Sequence, residues 1–136
     1  MLNLILHVEQ YDVLGILPSQ LESLALVAGM AGVQRTAFID ATADGVRRAH
    51  GFERYGSLRQ WLEQNGADPI AVFSPAGATP LRRYRPRPGT WLAFGPSMGW
   101  APSSFGSVDW VSIPGGVLNS RDAVAIALWE LSSWAR

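Results

Sequence analysis

The run Trp91-Leu92-Ala93-Phe94-Gly95-Pro96 is four apolar residues that stop at a glycine and a proline. Two other stretches share the design. Ile70-Ala71-Val72-Phe73 leads into Ser74-Pro75-Ala76-Gly77, and Trp110–Ile113 leads into Pro114-Gly115-Gly116. A short apolar run without polar alternation, closed by turn residues, reads as a strand buried on both faces. Strands of that kind belong to parallel sheets covered by helices on both sides. Ligands of open α/β sheets bind beyond the carboxyl ends of the strands, so the three turns are expected to converge on one site.

The rest of the chain fits around these strands. Leu2–Val8 and Thr36–Ile39 read as two more apolar strands. Ser19-Gln20-Leu21-Glu22 has the spacing of a capping box, in which Ser19 and Glu22 satisfy the first free N–H groups of a helix running to about Gly29. Its apolar residues Leu21, Leu24, Ala25, Leu26, Val27 and Ala28 nearly encircle it, which predicts burial on most sides and points to a subunit interface. Asp40–Gly56 is polar and irregular and reads as loop. Ser57 and Gln60 cap a second helix to Asn65 with Gly66 behind it, and a third helix covers roughly Ser120–Trp134. Strands alternating with helices give a three-layer α/β/α fold with a mostly parallel sheet.

The chain has 136 residues, the size of one ordinary domain spanning 1–136. Hydrophobic residues are 48% and charged residues 16%, enough to fill a core and too apolar for disorder. The 11 basic residues, all arginine, balance the 11 acidic ones, so no global field steers the protein to nucleic acid or anionic lipid. Without cysteine there is no disulfide, thiolate chemistry or thiolate-bound zinc. Apolar runs such as Leu24–Ala28 and Ala123–Trp129 fall short of the roughly 20 residues of a membrane span. Met1–Val8 lacks a basic leader and a cleavage site, so a soluble, cytoplasmic protein is expected.

Phosphate-binding loops, dinucleotide fingerprints and nucleophile elbows are absent from the sequence. His7, Glu9 and Asp12 are too loosely spaced to specify a metal, and no metal site is assigned. The strong charge asymmetry is Leu81–Pro88, where Arg82, Arg83, Arg85 and Arg87 surround Tyr84. Guanidinium forks with an adjacent aromatic suit phosphate contact and base stacking, so this segment is the candidate RNA-binding element. Of the six tryptophans, Trp100 stands out because it lies in a Gly/Pro/Ser loop rather than in a strand or helix.

The order of these pieces resembles the SPOUT superfamily, in particular the small SpoU-type tRNA 2′-O-ribose methyltransferases. MLNLILHVEQ resembles the opening strand of that family. AVFSPAG through WLAFGPSMGWAP resembles its middle strands and F-G-P-E loop, and VSIPGGVLNSRDAVAIALWEL resembles its strand-to-last-helix motif. The resemblance implies a trefoil-knotted C-terminal half, a homodimer, and S-adenosylmethionine held by Phe73, Ser74, Pro75, Gly95, Pro96, Ile113, Pro114, Val117 and Asn119. Ser23 and Leu26 stand where the family has the Asn and Arg of its first motif, and Ser97 and Gly99 replace the Glu and Arg of its second. Asn119 is retained, and Arg121 is the nearby cation that can serve in catalysis. Three functions follow: an S-adenosylmethionine-dependent RNA methyltransferase, a catalytically inactive relative acting as an RNA- or protein-binding homodimer, or a small α/β binding module. In the dimer, Leu21, Leu24, Leu128 and Leu131 are expected at the interface.

Overall fold

The computed structural model describes residues 2–8, 16–17, 20–39, 53–96, 100, 104–113 and 120–132. In chain order these form β1 (Asn3–His7), α1 (Leu21–Met30), β2 (Arg35–Ile39), β3 (Glu53–Tyr55), α2 (Leu58–Asn65), β4 (Ile70–Phe73), β5 (Thr79–Pro80), β6 (Trp91–Phe94), β7 (Asp109–Ser112) and α3 (Ser120–Leu131). A single 3-10 turn, Leu81–Arg83, follows β5. The seven strands make one sheet in the order β3-β2-β1-β6-β4-β7-β5, and every pairing is parallel.

Side-chain alternation along the strands divides the core into two layers. Leu4, Leu6, Phe38, Phe73, Leu92, Phe94 and Val111 face α1 and α3, with Leu81 and Tyr84 joining them. Ile5, Ala37, Ile39, Val72, Trp91 and Ala93 face α2, which contributes Trp61, and the segment carrying Phe105. Helices on both faces explain why β4 and β6 are buried at all four residues, and why their sequences show no polar alternation. Among the described residues no helix is long and apolar enough to cross a membrane.

Local chemistry sets the helix ends. Ser57 Oγ accepts from the Gln60 N–H at 3.2 Å, while Gln60 Oε1 reaches back to the Gly56 N–H at 2.7 Å, so the capping box closes one residue earlier than the standard pattern. For α1 the sequence expectation is revised. Gln20 occupies the N-cap position, and its Oε1 accepts from the Leu17 N–H at 3.0 Å. Ser19 lies outside the described residues. The third helix ends at Leu131, and Trp134 also lies outside them.

Two further expectations are corrected. Within the stretch read as loop, Glu53-Arg54-Tyr55 is an edge strand paired with β2. A charged edge strand carries no apolar run, because one of its sides faces solvent rather than another strand. The helix α1 is also less buried than its composition implies. Leu21, Leu24 and Ala28 pack inward at helical spacing, whereas Leu26 and Met30 are 71% and 68% exposed. Leu21, Leu24, Leu128 and Leu131, expected at a subunit interface, all lie in the chain's own core. Among the described residues, the large apolar side chains left outside are Leu26 and Met30 on α1 and Ile126 and Trp129 on α3.

The amino end of the sheet is tied by polar contacts. Arg35 grips Glu53 with two hydrogen bonds, Nε to Oε2 at 2.7 Å and Nη2 to Oε1 at 2.6 Å, and lies 4.8 Å from the centre of the Trp91 ring. Tyr55 OH donates to Glu53 at 3.1 Å, and Trp91 Nε1 donates to Asp68 at 3.1 Å. The Arg35 hydrogen bond, reinforced by Tyr55, holds the Glu53 carboxyl below its ordinary value despite partial burial. A lowered folded value adds stability above the unfolded value of about 4.3 and loses it as pH falls through the folded value. Glu53→Gln should therefore destabilise the protein by about 1 kcal/mol at neutral pH, the upper end for a partly exposed pair. Urea unfolding at about pH 7 and about pH 3 checks this: the difference from the natural protein should vanish at the acid end.

Candidate functional site

Register places the site. Leu6 pairs with Phe94, Phe94 with Phe73, Phe73 with Val111, and Val111 with Thr79. One residue further along each strand, His7, Gly95, Ser74, Ser112 and Pro80 therefore stand in a row across the carboxyl edge, on strands about 4.8 Å apart. The connections from β1 run outward to β2 and β3, and those from β6 run the other way to β7, so the chain diverges between β1 and β6. Such a switch point leaves a crevice at the carboxyl ends of the two strands.

Backbone packing draws the turns together. The Ser74 N–H continues the ladder to the Val111 carbonyl at 2.9 Å, Gly77 N–H closes the turn on Ser74 O at 3.0 Å, and Ser74 Oγ accepts from Ala76 N–H at 3.3 Å. Gly77 lies so near β7 that a Cβ there would sit 2.5 Å from the Val111 carbonyl carbon. At the neighbouring turn, a Cβ on Gly95 would meet the Trp100 indole at 2.6 Å. Ser120, at the start of α3, donates its hydroxyl to the Gly95 carbonyl at 3.0 Å, which fastens the last helix to the β6 turn. Beneath, the Phe73 and Phe94 rings stack with centroids 4.6 Å apart.

An aromatic file borders this edge. The His7 and Trp100 rings meet edge to face at 5.4 Å, Trp100 and Phe105 at 5.6 Å, and Phe105 and Trp110 at 6.3 Å. The buried Trp100 Nε1 has no hydrogen-bond partner among the described residues.

Of the residues expected to hold a cofactor, Phe73, Ser74, Pro75, Gly95, Pro96 and Ile113 thus come together at one edge. Pro114, Val117 and Asn119 lie outside the described residues, as do Ser97, Gly99, Glu9 and Asp12. Arg121 is on the first turn of α3, half-exposed, with its Nε 3.6 Å from Asp122 Oδ1. Ser23 and Leu26 are exposed on α1. No group of three or more metal-ligating side chains forms among the described residues.

The arginine segment runs from β5 back towards the start of β6, and all four arginines are exposed. Tyr84, expected to stack on a base, instead is buried, because its ring fills the core layer beside α3. Its hydroxyl donates to Asp109 Oδ2 at 3.3 Å, and burial, reinforced by that carboxylate, pushes the phenol up to about 12. Arg85 Nη1 donates to the carbonyls of Arg82 and Tyr84 at 3.0 and 2.9 Å, and Thr90 closes the segment with a hydroxyl bond to Arg87 O at 2.7 Å. The segment is thus an anchored display of guanidinium groups rather than a loose tail.

Sequence reasoning missed the Ser120–Gly95 bond and the position of His7. A serine opening a helix is ordinary, and a histidine ending a strand gives no signal until the register sets it beside Gly95.

No protein-family model matches the chain, and no curated relative does. Solved structures do. One, solved for the 2′-OH methylation of C/U34 on tRNA, is 25% identical with a TM-score of 0.73, over 96% of this chain and 93% of that one. The SpoU methyltransferase AviRb from Streptomyces viridochromogenes, in complex with AdoMet, is 19% identical with a TM-score of 0.67, over 93% of this chain and 55% of that one. An rRNA methyltransferase from Sinorhizobium meliloti is 19% identical with a TM-score of 0.65, over 95% of this chain and 53% of that one. This chain thus spans about half the length of the latter two proteins. The parallel sheet, its strand order and these likenesses agree: the chain has the fold of the SPOUT superfamily.

Proposed function

We propose that the chain, as one domain over 1–136, binds S-adenosylmethionine on its three carboxyl-edge turns and methylates the 2′-hydroxyl of an RNA ribose, in tRNA. The observation that carries this reading is the carboxyl edge, where β4, β6 and β7 end at one level, with the turns after β4 and β6 side by side. Phe73, Ser74, Pro75, Gly95, Pro96 and Ile113 line it, and Pro114, Val117 and Asn119 are proposed to complete it. The donor set fits such a group. Backbone N–H and C=O groups suit an adenine edge, and apolar walls suit a thioether chain, with no acidic cluster required. The AdoMet-bound Streptomyces protein and the structure concerned with tRNA C/U34 support the choice of donor and acceptor.

When bound, S-adenosylmethionine supplies an electrophilic methyl carbon attached to a positively charged sulfur. Within this chain, Asn119 and Arg121 at the head of α3 are the proposed ribose-orienting residues. Arg121 lends positive charge but takes up no proton, because a guanidinium stays protonated. Arg82, Arg83, Arg85 and Arg87 contact RNA phosphates. The trefoil knot belongs to the same proposal and is supported by the sheet order, in which β7 lies between β4 and β5, and by the packing of α3 on β6 and the 3-10 turn. The proposed protein is a cytoplasmic homodimer joined through Leu26, Met30, Ile126 and Trp129, the exposed apolar residues of α1 and α3.

A second reading, an inactive relative that binds RNA or protein as a dimer, is favoured by one observation. Leu26, at the position of the family's arginine, is an exposed apolar side chain without acid–base chemistry.

Calorimetric titration with S-adenosylmethionine and S-adenosylhomocysteine tests the cofactor site: micromolar binding of both is expected, and binding of neither would sink it. Replacing Arg82, Arg83, Arg85 and Arg87 by Gln should weaken tRNA binding and flatten the slope of log affinity against log salt by about 3. An unchanged slope would remove the segment from the interface. Light scattering should give twice the chain mass for the natural protein and the single-chain mass for Trp129→Glu. A monomer before substitution would end the dimer reading.

A further inference from the structure

We infer that Arg85 is a pre-oriented phosphate fork and the dominant RNA contact of the arginine segment; the inference rests on the function proposed above. Its hydrogen bonds within the protein come from one nitrogen. Nη1 donates to the carbonyls of Arg82 and Tyr84, which uses both of its hydrogens and fixes the plane of the guanidinium. The other edge, Nε with Nη2, has no partner among the described residues, and the side chain is exposed. Arg35 grips the Glu53 carboxylate by that same edge, Nε at 2.7 Å and Nη2 at 2.6 Å, so the chain itself shows what this pair of donors does with two oxygens. A phosphodiester group offers two oxygens that match the fork in the same way.

The backbone that holds Nη1 is itself held. Leu81 and Tyr84 are buried on either side of Arg82 and Arg83, and the Tyr84 N–H is shared between the Pro80 and Leu81 carbonyls at 3.1 Å. Arg85 therefore presents its fork already oriented, and binding does not have to freeze a long side chain. Arg82, Arg83 and Arg87 are exposed and make no side-chain hydrogen bond among the described residues, so each acts as a mobile charge. Leu81–Pro88 contains no acidic residue, and its four guanidinium groups favour a polymer with regularly spaced charges over a single carboxylate. RNA phosphate is therefore the partner assigned to the fork, ahead of an acidic protein segment.

Two measurements test this. The first uses the natural protein and reads the arginine Nε–H groups by NMR, with the Arg85 signal assigned by its absence from Arg85→Lys. Without RNA, the Arg85 Nε–H should be more ordered than those of Arg82, Arg83 and Arg87. On titration with a uridine hexanucleotide it should shift the most of the four. An Arg85 signal as mobile as the other three, or one unmoved by the oligonucleotide, would overturn the inference.

The second compares tRNA affinity in variants that keep the charge and lose the fork. Arg85→Lys should weaken binding about tenfold, the worth of a hydrogen bond to a charged group. Because the charge remains, the slope of log affinity against log salt should stay as in the natural protein. The same replacement at Arg82, Arg83 or Arg87 should cost no more than about twofold, since a mobile surface charge is retained there. Equal, small losses at all four positions would make the segment a patch of point charges and overturn the inference, while its place in the RNA interface would stand. A loss with Arg85→Lys that appears for polyglutamate and not for tRNA would assign the fork to an acidic protein and overturn it as well. Unchanged tRNA binding when all four arginines are replaced by Gln would take down both the inference and the RNA-binding reading of the segment.

Discussion

The in-register parallel pairing of β1, β6, β4 and β7 is the constraint on which the rest of the molecule depends. Because no strand is offset from its neighbour, the carboxyl ends of these four strands stand at one level, and the described turns after β4 and β6 lie side by side there. The strands between are buried on both faces, so a slip of one residue would exchange the two core layers and place Trp91 where Leu92 belongs. The fixed carboxyl edge is therefore a by-product of core packing. No separate interaction is needed to bring the turns together, and the Ser120 and Trp100 contacts only tighten an arrangement the sheet has already made.

The two ends of the sheet are built from different materials. At the amino end, Arg35, Glu53, Tyr55, Asp68 and Trp91 form polar and cation–aromatic contacts that knit three strands and a loop. At the carboxyl end the contacts are turns, backbone carbonyls and ring edges. Side chains that satisfy one another are poor ligands, whereas turns that meet through backbone leave their outer surface free for one. This division keeps the polar ties that hold the edge strand away from the site.

Much of this was legible in the sequence because burial on both faces leaves a plain signature. Ile70–Phe73 and Trp91–Phe94 could hardly be anything but central strands, and the turn residues behind them marked the edge where a ligand would sit. Features that depend on solvent on one side were harder to read. Glu53–Tyr55 pairs only through its backbone, so its side chains follow no strand pattern. In α1, an almost wholly apolar sequence concealed which residues face inward, and only the placement of α3 separates Leu24 from Leu26. Tyr84 was misread for a related reason: among arginines it resembles a stacking platform, but its ring is the weight that holds the segment down. His7 was legible as a residue type and not as a position, since proximity across a parallel sheet joins residues far apart in the chain.

The anchoring of Tyr84 on Asp109 also bears on how this protein can change over evolutionary time. The path of the segment is fixed from beneath by a phenol, a carboxylate and backbone bonds, and only Arg85 among the four arginines contributes to that fixing. Arg82, Arg83 and Arg87 are exposed, and Arg87 acts on the core through its charge near the Tyr84 phenol. A lineage carrying this fold can rewrite exposed positions of the segment while the scaffold beneath them stays fixed.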